Sequence, residues 1–139
     1  MTQEEKDLLV KDLCARLPYN VKAYVKHWAK LDRKYYEGVY TVESIHPSLN
    51  NILVYSERFA VEVLVGYYDY EIKPYLFPLS SMTEEQTEEL IKLINTDQND
   101  NNEFMRSLCR IEFYHKNHFD YRGLIEKGLA IDATGLNIY

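Results

Sequence analysis

Apolar and polar residues alternate through much of Val21–Ile72, and at Thr83 that habit stops. Val21, Ala23 and Val25 alternate with Lys22, Tyr24 and Lys26; Val61, Val63 and Val65 are spaced the same way. A period of two sends successive side chains to opposite faces of a strand, whereas the spacing of Leu90, Ile91 and Ile94 suits one face of a helix. Such a chain must join a β-rich part to a helical part. The joint is the run Lys73-Pro74-Tyr75-Leu76-Phe77-Pro78-Leu79-Ser80-Ser81-Met82-Thr83.

Element signals fill in this frame. Thr2 and Glu5 form a capping box ahead of Leu9, Leu13 and Leu17, and Pro18 ends that first helix. Val21–Trp28 is read as a strand for its β-branched and aromatic content, although Val21, Tyr24, Val25, Trp28 and Leu31 also satisfy a helical stripe. Further strands are expected at Val39–Ile45, Ile52–Ser56, Val61–Val65 and, briefly, Tyr68–Ile72 before the turn at Lys73-Pro74. Thr83 and Gln86 make a second capping box. Asn95–Asn102 is a polar loop, expected to be the most mobile stretch, and Asp100 with Glu103 offers a cap for a helix buried along Phe104, Leu108, Ile111 and His115. Asp120 is expected to cap a last short helix that Gly128 terminates.

The expected fold is therefore α+β: a small curved antiparallel sheet or SH3-like barrel, with an N-terminal helix and three C-terminal helices. It is read as one domain over 1–139, with a helix at 1–17, a β-rich part at 18–79 and a helical part at 80–139.

Composition narrows the function classes. A net charge of −6 argues against a general duplex-DNA binder. The charge is uneven, basic from Lys11 to Lys34 and acidic from Thr83 to Glu103, which suits either a partner or mutual attraction of the two stretches. No apolar run is long enough to span a bilayer and the N-terminus has no apolar signal core, so no membrane and a cytoplasmic location are expected. Cys14 and Cys109 lie on helical faces and are expected to be reduced; sequence separation does not decide whether they pair. Tyrosine is the outlier, with 13 copies, indicating sheet first and a binding surface second.

Three stretches carry a resemblance. Leu8-Leu9-Val10-Lys11-Asp12-Leu13-Cys14-Ala15-Arg16-Leu17-Pro18-Tyr19, the Lys73–Thr83 run and His118–Ala130 (HFDYRGLIEKGLA) resemble small uncharacterised proteins encoded by bacteriophages and prophages of gut Bacteroidetes. The likeness covers the ends and the hinge, not the strands between Val21 and Ile72, and the group tends to carry arginine where this chain has Phe77. It implies a cytoplasmic accessory protein of an infected or lysogenic cell, and no particular activity.

Candidate chemistry is sparse. Lys22, Tyr24, Lys26, Trp28 and Lys30 share one face if their segment is a strand; alternating cations and rings can follow and stack a single-stranded nucleic acid, or merely protect an exposed edge. Tyr67, Tyr68 and Tyr70 are candidates for a protein-binding surface. His115, His118 and Asp120 form an H-x-x-H-x-D run that suits a metal or, more plainly, a helix terminus. Glu71 and Lys73 form an E-x-K that needs a second carboxylate, Glu57 or Glu62, to become a nuclease site. No catalytic residue and no cofactor are assigned. The leading expectation is a non-enzymatic phage accessory protein binding a host or phage protein, ahead of a single-stranded nucleic-acid or nucleotide binder and a metal-dependent hydrolase.

Overall fold

In the computed structural model, which describes residues 1–95 and 102–139, both capping boxes form. Thr2 Oγ1 accepts the Glu5 amide at 3.1 Å while the Glu5 carboxylate accepts the Thr2 amide at 2.8 Å. They start α1 (Gln3–Arg16), which ends in a 3-10 turn at Leu17–Tyr19 containing Pro18. The alternating segments become β1 (Lys22–Ala29), β2 (Lys34–His46), β3 (Asn51–Tyr55), β4 (Ala60–Leu64) and β5 (Tyr70–Pro78). Thr83 starts α2 (Glu84–Ile94), followed by α3 (Glu103–Lys116) and two short strands, β6 (Phe119–Asp120) and β7 (Ile131–Asp132).

The sheet runs β4-β3-β2-β1-β5-β6, with β7 also paired to β5. Its first five strands are antiparallel, and β6 and β7 join the end of β5 in parallel. Curvature comes from β2, whose first half pairs with β1 and whose second half pairs with β3, with a register shift between Val42 and Ser44. An extra residue there bends the strand and raises its twist. Along the inner face, Val21, Val25, Tyr40, Val42, Ile52, Val54 and Val63 pack beneath Leu9 and Leu13 of α1.

Three expectations need correction. The sheet is open and does not close into an SH3-like barrel: no ladder joins β4 to β5 among the described residues, because β5 pairs with β1, β6 and β7 instead. Strand β5 does not stop at Lys73-Pro74. Its ladder to β1 ends at the Ala23–Pro74 pair, and beyond it β5 takes β7 at Tyr75 and Leu76, then β6 at Phe77 and Pro78. A proline, which has no amide to donate, is tolerated at such a change of partner. Finally, two α-helices rather than three follow β5 among the described residues. Asp120 does accept the amides of Leu124 and Ile125, at 3.0 and 2.8 Å. Yet Gly123, at φ +73°, turns the chain left-handed where the helix would begin, so turns occupy the segment up to Leu129.

The α3 stripe is also reversed. Phe113 is buried against Leu90 and Phe119, while Phe104, Leu108 and Ile111 are exposed; only His115 of the expected set lies inside. Asn102 Oδ1 caps α3 through the amides of Phe104 and Met105. The expected cap Asp100, and most of the polar loop at Asn95–Asn102, lie outside the described residues.

The hinge works as a lock. The Phe77 amide donates to the His118 carbonyl at 2.8 Å, and the Phe77 ring sits 6.4 Å from Phe119 and 6.1 Å from Tyr139. The Lys73–Thr83 and His118–Ala130 runs thereby both feed the cluster that joins the sheet to α2 and α3. Cys14 and Cys109 form no disulfide.

Candidate functional site

Strand β1 settles the ambiguity of its segment: Ala23, Val25 and His27 point inward, and Lys22, Tyr24, Lys26 and Trp28 share the outer face. Lys30 lies beyond the strand, in the turn to β2. The cations on this face are not idle. Lys26 is opposite Glu37 on β2 and Glu71 on β5, with its Nζ 5.1 Å from the Tyr35 ring centre. Lys73 Nζ is 3.3 Å from the Glu71 carboxylate, and Lys22 Nζ donates to the Ile138 carbonyl at 3.0 Å. Tyr24 Oη donates to Glu37 at 2.7 Å; burial, followed by that carboxylate, pushes its pKa up to about 12. A phosphate chain reaching Lys26 or Lys73 would have to compete with the neighbouring Glu37 and Glu71 carboxylates.

At one end of this face aromatics accumulate. Trp28 meets Tyr35 edge-on at 4.9 Å, and Tyr35 Oη lies 3.5 Å from Asp69 in the turn between β4 and β5. That turn presents Tyr67 and Tyr68 to solvent, the latter 90 % exposed. Gly66, at φ +85°, makes the turn possible. Leu31, in the β1–β2 connection, is 98 % exposed. Tyr70 is half-buried and, with Tyr67, Tyr68, Ile72 and Leu129, lines a groove of about 260 Å³. The structure thus brings Trp28, Tyr68 and Tyr70 toward one end of the sheet, with Lys26, while Lys22 and Tyr24 lie further along β1.

The H-x-x-H-x-D residues do not converge. His115 Nε2 bonds Tyr121 Oη at 2.7 Å, His118 stacks on Tyr139 with centroids 3.6 Å apart, and Asp120 is held by two amides. Burial lowers the pKa of both histidines, that of His118 to about 4, with Arg16 and Lys22 adding to the effect at His118. The E-x-K pair is equally engaged, Glu71 with Lys73 itself. Glu62 stands on β4, with three strands between it and β5 in the sheet order, and Glu57 lies in the β3–β4 connection. Among the described residues no group of three or more His, Cys, Asp or Glu side chains is placed to hold a metal.

Sequence reasoning missed the most unusual polar group. Asp12 and Arg16 are both 0 % exposed, joined Oδ2 to Nε at 2.7 Å. Arg16 Nη2 donates to the Phe119 carbonyl at 2.7 Å, and Arg122 Nε stands 3.2 Å from the other Asp12 oxygen, an ion pair without hydrogen-bond geometry. The signal was available: residues 9, 12, 13 and 16 share one helical face, so Asp12 and Arg16 belong to the stripe of Leu9 and Leu13. This group ties α1 to the His118–Arg122 run and serves architecture.

No family model, curated protein or solved structure matches this chain. No helix among the described residues is long and apolar enough to cross a membrane.

Proposed function

We propose that this is a non-enzymatic accessory protein of a phage or prophage, acting by docking the aromatic end of its sheet on a host or phage protein. The observation that carries this reading is the placing of exposed Tyr35 and Tyr68 at the Trp28 end of the sheet, with exposed Leu31 and Tyr67 in the two adjoining connections, all held by strands. Large rings on a rigid support lose little entropy on binding, and such residues at an interface centre each contribute roughly 2 kcal/mol or more. Single-stranded nucleic acid is the weaker reading, because Glu37 and Glu71 flank Lys26 on both sides. A hydrolase has less support still, since His115, His118 and Asp120 each face a different partner.

The test compares wild-type protein with a Leu31→Ser, Tyr67→Ser, Tyr68→Ser variant as baits in a bacterial host lysate, with quantitative mass spectrometry. A protein retained by the wild type and lost by the folded variant supports the proposal. Identical retention by both baits removes it. Steeply salt-dependent binding to a short single strand, lost in Lys22→Ala with Lys26→Ala, would replace it with the nucleic-acid reading.

A further inference from the structure

The helices α2 and α3 use only part of their apolar surface to hold the protein together. Leu90 and Phe113 are buried, with Ile94 and Tyr114 beside them, against Phe77, Met82 and Phe119. On α3 a second apolar stripe, Phe104, Leu108 and Ile111 at i, i+4 and i+7, faces solvent with Met105 next to it. Phe104 is 68 % exposed. The next step along this stripe, His115, lies inside, near the Tyr19 ring and bonded to Tyr121. The stripe therefore begins in the body of the protein and runs out for two turns, about 10 Å, onto an uncovered surface. Its four side chains leave on the order of 400 Å² of apolar area in water, the size at which a patch marks an interaction site.

Charge decides what fits there. On the described residues of α2 and α3, six carboxylates (Glu84, Glu85, Glu88, Glu89, Glu103 and Glu112) stand against four cations, a net charge of −2. Alongside the stripe, α2 and α3 form a groove of about 220 Å³ whose lining includes Leu93 and Phe113 together with Glu89, Glu112 and Lys116. No ion pair within the described residues involves Glu85, Glu89 or Glu112, and none joins this acidic part to the basic stretch from Lys11 to Lys34. A second copy would bring two further net negative charges against the same face. A helix with one apolar side and lysine or arginine along its flanks meets both requirements.

We propose that the α2–α3 face is a docking site for a cationic amphipathic helix of another protein, its apolar side on Phe104, Leu108 and Ile111 and its cations toward Glu85, Glu89 and Glu112. This surface is separate from the aromatic end of the sheet and stands or falls by itself.

Two labelled 18-residue helices with the same leucine face test it, one with lysine and the other with glutamate on the polar face, titrated with the full chain by fluorescence anisotropy. The lysine helix is expected to bind with a Kd of order 10 μM, and the glutamate helix at least 10-fold more weakly. Leu108→Ser with Ile111→Ser should weaken the lysine helix about 10-fold or more, while the Leu31, Tyr67, Tyr68 variant binds it unchanged. These positions are exposed, and circular dichroism verifies the fold; Phe104→Ser is a second, independent probe of the stripe. No saturable binding of the lysine helix up to about 200 μM, equal affinity for both helices, or indifference of folded Leu108→Ser/Ile111→Ser and Phe104→Ser would overturn the proposal. So would a dimer in sedimentation that Leu108→Ser/Ile111→Ser abolishes, because a second copy would then be the occupant.

Discussion

Replacing Arg16 with methionine gives a sharp test of how the two ends of the chain are held. Arg16 is fully buried and makes two short contacts, to Asp12 and to the Phe119 carbonyl. Methionine fills much of the same volume but leaves that carbonyl without its donor, at a cost of about 1–3 kcal/mol. It also leaves the Asp12 carboxylate buried with Arg122 as its remaining close cation, at 3.2 Å. Removing one partner of a buried pair costs about 3–5 kcal/mol, and because this figure contains the stranded charge, roughly 4 kcal/mol is expected in total. In a chain of this length that lowers Tm by roughly 12–20 °C. Urea unfolding followed by circular dichroism measures the free energy directly. Asp12→Leu added to Arg16→Met should recover more than half of the loss, because the stranded carboxylate is then gone. An Arg16→Met protein within about 1 kcal/mol of wild type, or a double variant worse than the single, would refute the reasoning.

Acid should unfold the protein partly through His118. Its pKa in the fold, about 4, lies below the unfolded value of about 6.5, so its contribution is complete above pH 6.5 and is lost as pH falls toward 4. His118→Asn, chosen because asparagine tolerates the φ of +61° there, should make the urea midpoint fall less between pH 7.5 and 4.5 than in wild type; parallel declines would contradict a neutral, buried imidazole. Tyr40→Phe removes the hydroxyl that lies 2.9 Å from buried His27 Nε2, and a loss of about 1–3 kcal/mol is expected by the same urea assay. An unchanged midpoint would mean that His27 finds another partner.

Nearest-neighbour chemistry explains what was legible beforehand. The capping boxes at Thr2 and Thr83 and the alternation that places Lys22, Tyr24, Lys26 and Trp28 on one face each depend on residues only a few positions apart. The candidate site was legible to the same depth: the residues of one strand face were named, but not the carboxylates of β2 and β5 that flank Lys26. Those come from 11 and 45 positions beyond Lys26, at Glu37 and Glu71, and only sheet pairing joins them.

From local order alone, then, follow the α+β division, the hinge between Lys73 and Thr83, and which side chains share a face. Tertiary structure decided what each face meets. Phe113 is covered and Phe104 is not, although the same helix carries both; Asp12 and Arg16 are buried, although their types favour water; Pro74 stays within a strand, because its partner changes there. Periodicity records the direction in which a side chain points, and burial depends on whether another part of the chain arrives to cover it.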